Sequence, residues 1–73
     1  MTLTEMFGAC LEAACERSPL KHHEISAKSG YSENYLRKLR RGQGKQTPLY
    51  VVETMSDALG VSVGALLGLE PLP

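Results

Sequence analysis

The chain has 73 residues, 42% of them hydrophobic, with eight Lys and Arg against eight Asp and Glu, and only three Tyr and one Phe for aromatic area. So short a chain accommodates one domain, spanning 1–73, around a modest core. It reads as cytoplasmic, with no membrane-length apolar run and no leader pattern, and an enzyme of this size would be unusual.

Thr2-Leu3-Thr4-Glu5 has the spacing of a capping box at a helix start. Leu3, Phe7, Cys10, Leu11 and Ala14 then recur at three and four, predicting a first helix that buries this face and ends near Arg17. Pro19 enforces the stop, and Leu20 is expected to pack back as a staple. A second helix follows with Lys21 where Ser or Thr would cap, so its start is expected to fray. It runs to Gly30, a residue suited to the left-handed backbone that ends one helix and redirects the chain. Ser26 and Ser29 are small enough for a close helix crossing there.

Ser32 is the expected cap of a third helix, from about Glu33 to Arg41. At 100° per residue Leu36 and Leu39 mark its apolar stripe, and Asn34, Arg37, Lys38 and Arg41 lie opposite, within about 50° of one line. Arg can bond the O6/N7 edge of guanine with two donors, Asn the N6/N7 edge of adenine, and Lys or Arg can neutralise phosphate. A solvated charged face is the plain alternative. Gln43-Gly44-Lys45-Gln46 is a polar loop whose amides, glutamines and Lys45 suit phosphates or an ordinary surface equally.

Thr47 is expected to cap a fourth helix with Pro48 in its first turn and Val52, Met55, Ser56 and Leu59 inward, ending at Gly60. Ser62 caps a last short helix through Leu67, stopped by Gly68. Leu66, Leu67, Leu69 and Leu72 exceed what a small domain easily hides. Leu66 is assigned to the core, and the rest to a self-complementary dimer patch in the tail 69–73 or to plain exposure. No internal repeat and no low-complexity segment stand out.

The zero formal charge hides a dipole. Arg37, Lys38, Arg40, Arg41 and Lys45 cluster without an acid, leaving three cations among eight acids elsewhere. Such a face attracts a polyanion while the remainder resists indiscriminate binding. Chemistry is weakly signalled. His22 and His23 diverge by about 100° on a helix, and Cys10 and Cys15 by about 140°, so neither pair has metal-ligand spacing. Cys10 is assigned to the core and Cys15 to a reduced thiol. No nucleophile motif or glycine-rich phosphate cradle is present, and no cofactor or small-molecule ligand is implied.

The set Ile25-Ser26, Gly30-Tyr31-Ser32, Leu36, Leu39 and Gly42, followed by Ala58-Leu59-Gly60-Val61-Ser62 and Leu66-Leu67, resembles the lambda-repressor and Cro-like (XRE-type) helix-turn-helix proteins. The resemblance runs from about Thr4 to Gly68. It implies an all-α, compact five-helix fold with the helix-turn-helix at about 22–41 and the third helix as recognition helix in the major groove of double-stranded DNA. Ser32, Glu33, Asn34, Arg37, Lys38 and Arg41 are then the groove-facing candidates, with His22, Gln43 and Lys45 at phosphates. The implied role is a homodimeric transcriptional regulator of Cro or phage-repressor type on an inverted repeat. A protein-gripping module, of antitoxin or antirepressor type, is the alternative.

Three residues depart from the family pattern. Ser26 replaces a common alanine, and its hydroxyl is expected to bond back to a helical carbonyl. Arg40 stands where many members carry glutamate, so an ion pair reversed in sign is expected with Glu12 or Glu16. Glu33 brings a negative charge to the groove side, as a cytosine acceptor or as a helix-start acid.

Overall fold

The computed structural model describes residues 2–43 and 46–73, and among these it contains five helices and no strand. They are α1 (Leu3–Arg17), α2 (His22–Ser29), α3 (Glu33–Arg40), α4 (Leu49–Leu59) and α5 (Val63–Leu66). The longest, α1, lies against α3, α4 and α5, and α2 packs on α3 and α4. Phe7, Leu11, Ile25, Leu36, Val51, Met55 and Leu66, one or two from each helix, fill the centre with almost no exposure. The radius of gyration, 10.7 Å, is that of a tightly packed chain of this length.

The α1 start forms as its sequence implies. The Thr2 hydroxyl accepts from Glu5 N–H at 3.1 Å, and the Glu5 carboxylate accepts from Thr2 N–H at 3.0 Å. The buried stripe differs from expectation. It runs Thr4, Phe7, Gly8, Leu11, Ala14 and Cys15, leaving Leu3 75% exposed and Cys10 only half-buried. Gly8 sets this rotation. A Cβ there would sit 2.6 Å from the Gly42 backbone and 2.8 Å from the Leu39 carbonyl, so residue 8 is where α1 touches the end of α3. Facing Gly8 inward carries Cys15 into the core and Leu3 out of it. Burial in turn pushes the Cys15 thiol up from its ordinary pKa.

The α2 start is held rather than frayed, because the Lys21 N–H donates to the Glu24 carboxylate at 2.9 Å. In α4 the expected register is off by one. Pro48 occupies the cap position, so Thr47 lies one residue too early to cap, and Val51, Val52, Met55 and Ala58 are buried. Ser56 and Leu59, expected inward, are half-buried at its margin. The leucine tail is largely consumed. Leu66 is fully buried, Leu67 and Leu72 pack on the core, and only Leu69 stands out, 79% exposed. Arg17 Nη1 donates to the carbonyls of Leu72 and Pro73 at 3.3 and 3.4 Å, and the Ser62 hydroxyl donates to Glu70 at 3.0 Å. Strapped in this way, the tail leaves Leu69 as its exposed leucine.

The fold contains a local repetition that the sequence reading missed. Ser26-Ala27-Lys28-Ser29-Gly30-Tyr31-Ser32 and Ser56-Asp57-Ala58-Leu59-Gly60-Val61-Ser62 build the same corner, thirty residues apart. In each, glycine is left-handed, at φ 79° and 67°, and its N–H returns to the first serine's carbonyl. The first serine's hydroxyl donates forward to the carbonyl after the glycine at 2.5 Å, Ser26 to Tyr31 and Ser56 to Val61, instead of backward along its own helix. The last serine caps the outgoing helix by accepting from Tyr35 N–H or Ala65 N–H, at 3.1 and 3.0 Å.

Candidate nucleic-acid interface

The first of these corners presents α3. Eight residues are too few for a stable isolated helix, so its orientation is tertiary in origin. Leu36 and Leu39 are buried beneath it, Ser32 closes its start, and Arg41 and Gly42 end it against Gly8 of α1. What is left outward is the face read from the sequence. Glu33, Asn34, Arg37, Lys38 and Arg41 are all exposed, as is Ser32 at the cap. Gln43 follows on the same end, exposed, its N–H bonded to the Lys38 carbonyl at 3.0 Å. Lys45 lies outside the described residues.

These side chains form a linked set. Arg37 Nη1 donates to Asn34 Oδ1 at 2.9 Å, and Arg37 Nη2 lies 3.7 Å from the Glu33 carboxylate. The guanidinium is thus drawn toward the first turn by two neighbours, a geometry that side chains leaning toward the helix N-terminus favour. Glu33 therefore serves an intrahelical pair. For Lys38 and Arg41 no ion pair is found among the described residues, so their charge is directed outward. Together the face offers an array of donors with one carboxylate at its edge, suited to phosphate oxygens and to the acceptor edge of guanine.

The flank of α3 on the Arg37 side is ionic. Arg40 Nε donates to the Glu12 carboxylate at 2.8 Å, with a second contact through Nη2, so the reversed pair forms, and with Glu12 rather than Glu16. His22, expected at a phosphate, has both ring nitrogens engaged inside the protein. Nε2 is 3.0 Å from the Glu33 carbonyl and Nδ1 is 3.2 Å from Arg40 Nη1. Beside this network lies an open groove of about 480 Å³, lined also by Lys21, His23, Arg37 and Arg41. From the sequence Lys21 was read as a poor cap and His23 as half of an unsuited metal pair, neither as part of this face. Their signal is positional, since Lys21 is the N-cap of α2 and His23 its second residue.

The opposite flank is aromatic and was also missed. Tyr31 and Tyr35 meet edge to face with centroids 5.1 Å apart. Their i,i+4 spacing across the Ser32 cap was the available signal. Desolvation, then the nearby Tyr31 and Tyr50 phenols, push the Tyr35 phenol above its ordinary pKa. Tyr35 and Lys38 line a second shallow groove with Gln43, Gln46 and Thr47. Among the described residues no group of three or more His, Cys, Asp or Glu side chains has a metal-holding arrangement, and no helix is long and apolar enough to cross a membrane.

The chain is similar to the crystal structure of the clp gene regulator ClgR from C. glutamicum, with a TM-score of 0.84 and 29% sequence identity, over 94% of this chain and 88% of that one. No protein family and no curated protein matches it.

Proposed function

We propose that the chain is a DNA-binding regulator of transcription, a sequence-reading domain of Cro-like repressor type that lays α3 in the major groove. The observation that carries this reading is the outward face of α3. Asn34, Arg37, Lys38 and Arg41 stand exposed and convergent on a helix whose other side is fixed by Leu36 and Leu39. The likeness to a gene regulator of the same fold supports it. Ser32, Glu33, Asn34, Arg37, Lys38 and Arg41 are the proposed groove contacts, and Gln43 and Lys45 the phosphate contacts at the end of the helix. One such helix buries too little for specific affinity, so two copies on an inverted repeat are proposed, with helices about 34 Å apart. Occupancy of the site would then exclude competing proteins without a ligand or an enzymatic step.

The test is selection from a pool of random duplexes at near-physiological salt, with an Asn34→Ala/Arg37→Ala double variant as control. The expected result is enrichment of an inverted repeat that the control fails to select, with log affinity falling by about 0.9 per phosphate for each decade of salt. Sequence-blind binding by the parent protein would overturn the reading. A protein-gripping module is the second reading. It is favoured by one observation, the uncharged cleft of about 220 Å³ where exposed Leu3 and Leu49 flank Phe7, Val52 and Leu67. It predicts a partner retained by Arg37→Ala and little affected by salt.

A further inference from the structure

Among the described candidates, His22 is the one whose ring nitrogens are both engaged within the protein. The Glu33 carbonyl can only accept, so Nε2 carries the proton; the Arg40 guanidinium can only donate, so Nδ1 must be the bare acceptor. One neutral tautomer, protonated at Nε2, satisfies both contacts, and a ring used in this way has no donor left for a phosphate.

The two partners sit at opposite ends of α3. Glu33 is its first residue and Arg40 its last, and Arg40 is tied onward to Glu12 of α1. His22 itself opens α2. A single imidazole therefore joins α2 to both ends of α3, and through Arg40 to α1. The buried contacts of α3, Leu36 and Leu39, lie on one stripe and resist lifting more than rolling. A tie on the flank resists rolling, and rolling is the motion that would swing Asn34 and Arg37 away from base edges.

We infer that His22 is a positioning residue which sets the roll of α3 and makes no phosphate contact. This rests on α3 being the DNA-reading helix, and its test separates the two ideas. Glutamine can reproduce both roles, its NH₂ donating to the Glu33 carbonyl and its oxygen accepting from Arg40, whereas leucine has similar bulk and neither role.

The experiment measures affinity of the parent protein, His22→Gln and His22→Leu for the selected duplex between 50 and 200 mM salt, roughly the range over which phosphate contacts are resolved. His22→Gln is expected within about twofold of the parent. His22→Leu is expected to weaken binding about tenfold, as loss of a hydrogen bond to a charged group implies, with the salt slope unchanged. A slope shallower by about 0.9 in His22→Leu would mean a lost phosphate contact and overturn the inference. So would unaltered affinity.

Should His22→Leu fail to fold, ¹⁵N shifts of the imidazole in the parent protein decide. A bare Nδ1 with an Nε2 proton held against solvent exchange supports the tie, and the other tautomer or a freely exchanging Nε2 proton removes it. If the parent protein selects no duplex, the proposed function fails while this spectroscopic result still judges the tie.

Discussion

The two serine-glycine-serine corners are nearly superimposable in their bonding, yet they deliver different things. Before each, one apolar side chain is buried, Ile25 or Met55, and four residues after each cap a leucine is buried, Leu36 or Leu66. The outgoing sequences then part. After Ser32 the chain continues Glu33-Asn34-Tyr35-Leu36-Arg37-Lys38-Leu39-Arg40, with a second inward leucine and polar groups between. After Ser62 it runs Val63-Gly64-Ala65-Leu66 and stops, so that Leu69, the counterpart of Leu39, projects into solvent. A corner specifies where a helix begins; the spacing of leucines beyond it specifies whether a charged face is displayed.

The strongest test of that equivalence is in the core. Leu36→Ala and Leu66→Ala should each cost about 3 kcal/mol in urea unfolding, because both side chains are fully enclosed. A difference much larger than 1 kcal/mol would show that the corners are alike in bonding only. Next come the glycines. A Cβ at Gly30 or at Gly60 would meet nothing within 4 Å, so alanine at either acts through backbone strain alone. Both variants should lose about 1 kcal/mol, with asparagine recovering part of it, as thermal melts would show.

The caps separate the corners by function. Ser32→Ala and Ser62→Ala should each cost about 1 kcal/mol of stability. Only the first should also weaken duplex binding, if α3 is the reading helix, and equal losses in a binding titration would count against that role. The smallest effect involves acid. The Ser32 corner is capped by a hydroxyl, whereas the α1 start adds Glu5, whose carboxyl is held below its ordinary value of about 4.5 chiefly by the Thr2 N–H bond. With a folded pKa below the unfolded one, this contribution is present above about pH 4.5 and is lost as pH falls through the folded value. Amide shifts of Thr2 should therefore move in acid before that of Tyr35 does.

What could be read from the sequence was what neighbouring residues encode together. Gly30, Ser32, Leu36 and Leu39 lie within ten residues, and their meanings are backbone conformation, capping and period, all local quantities. The outward face of α3 follows from them by subtraction. The α1 rotation was not legible, because its cause is Gly8, which carries no hydropathy signal and acquires importance only against Gly42. The commitment of His22 was equally hidden, since its partners lie 11 and 18 positions away. Arg40 with Glu12 was accessible only because a charge stood where a resembled family carries its opposite. At Thr47-Pro48 the capping preference of threonine and the first-turn preference of proline both pointed to a helix starting one residue earlier than the one that forms.

Residue 8 has room for a hydrogen atom and nothing larger, with the Gly42 backbone 2.6 Å from where a side chain would start. In a saturation library this position should behave as a single-letter word, while the exposed positions of α3 tolerate many. If α3 reads DNA as proposed, specificity can drift across Asn34, Arg37 and Lys38 as long as the scaffold keeps one glycine, so new target sequences would be reachable without new architecture.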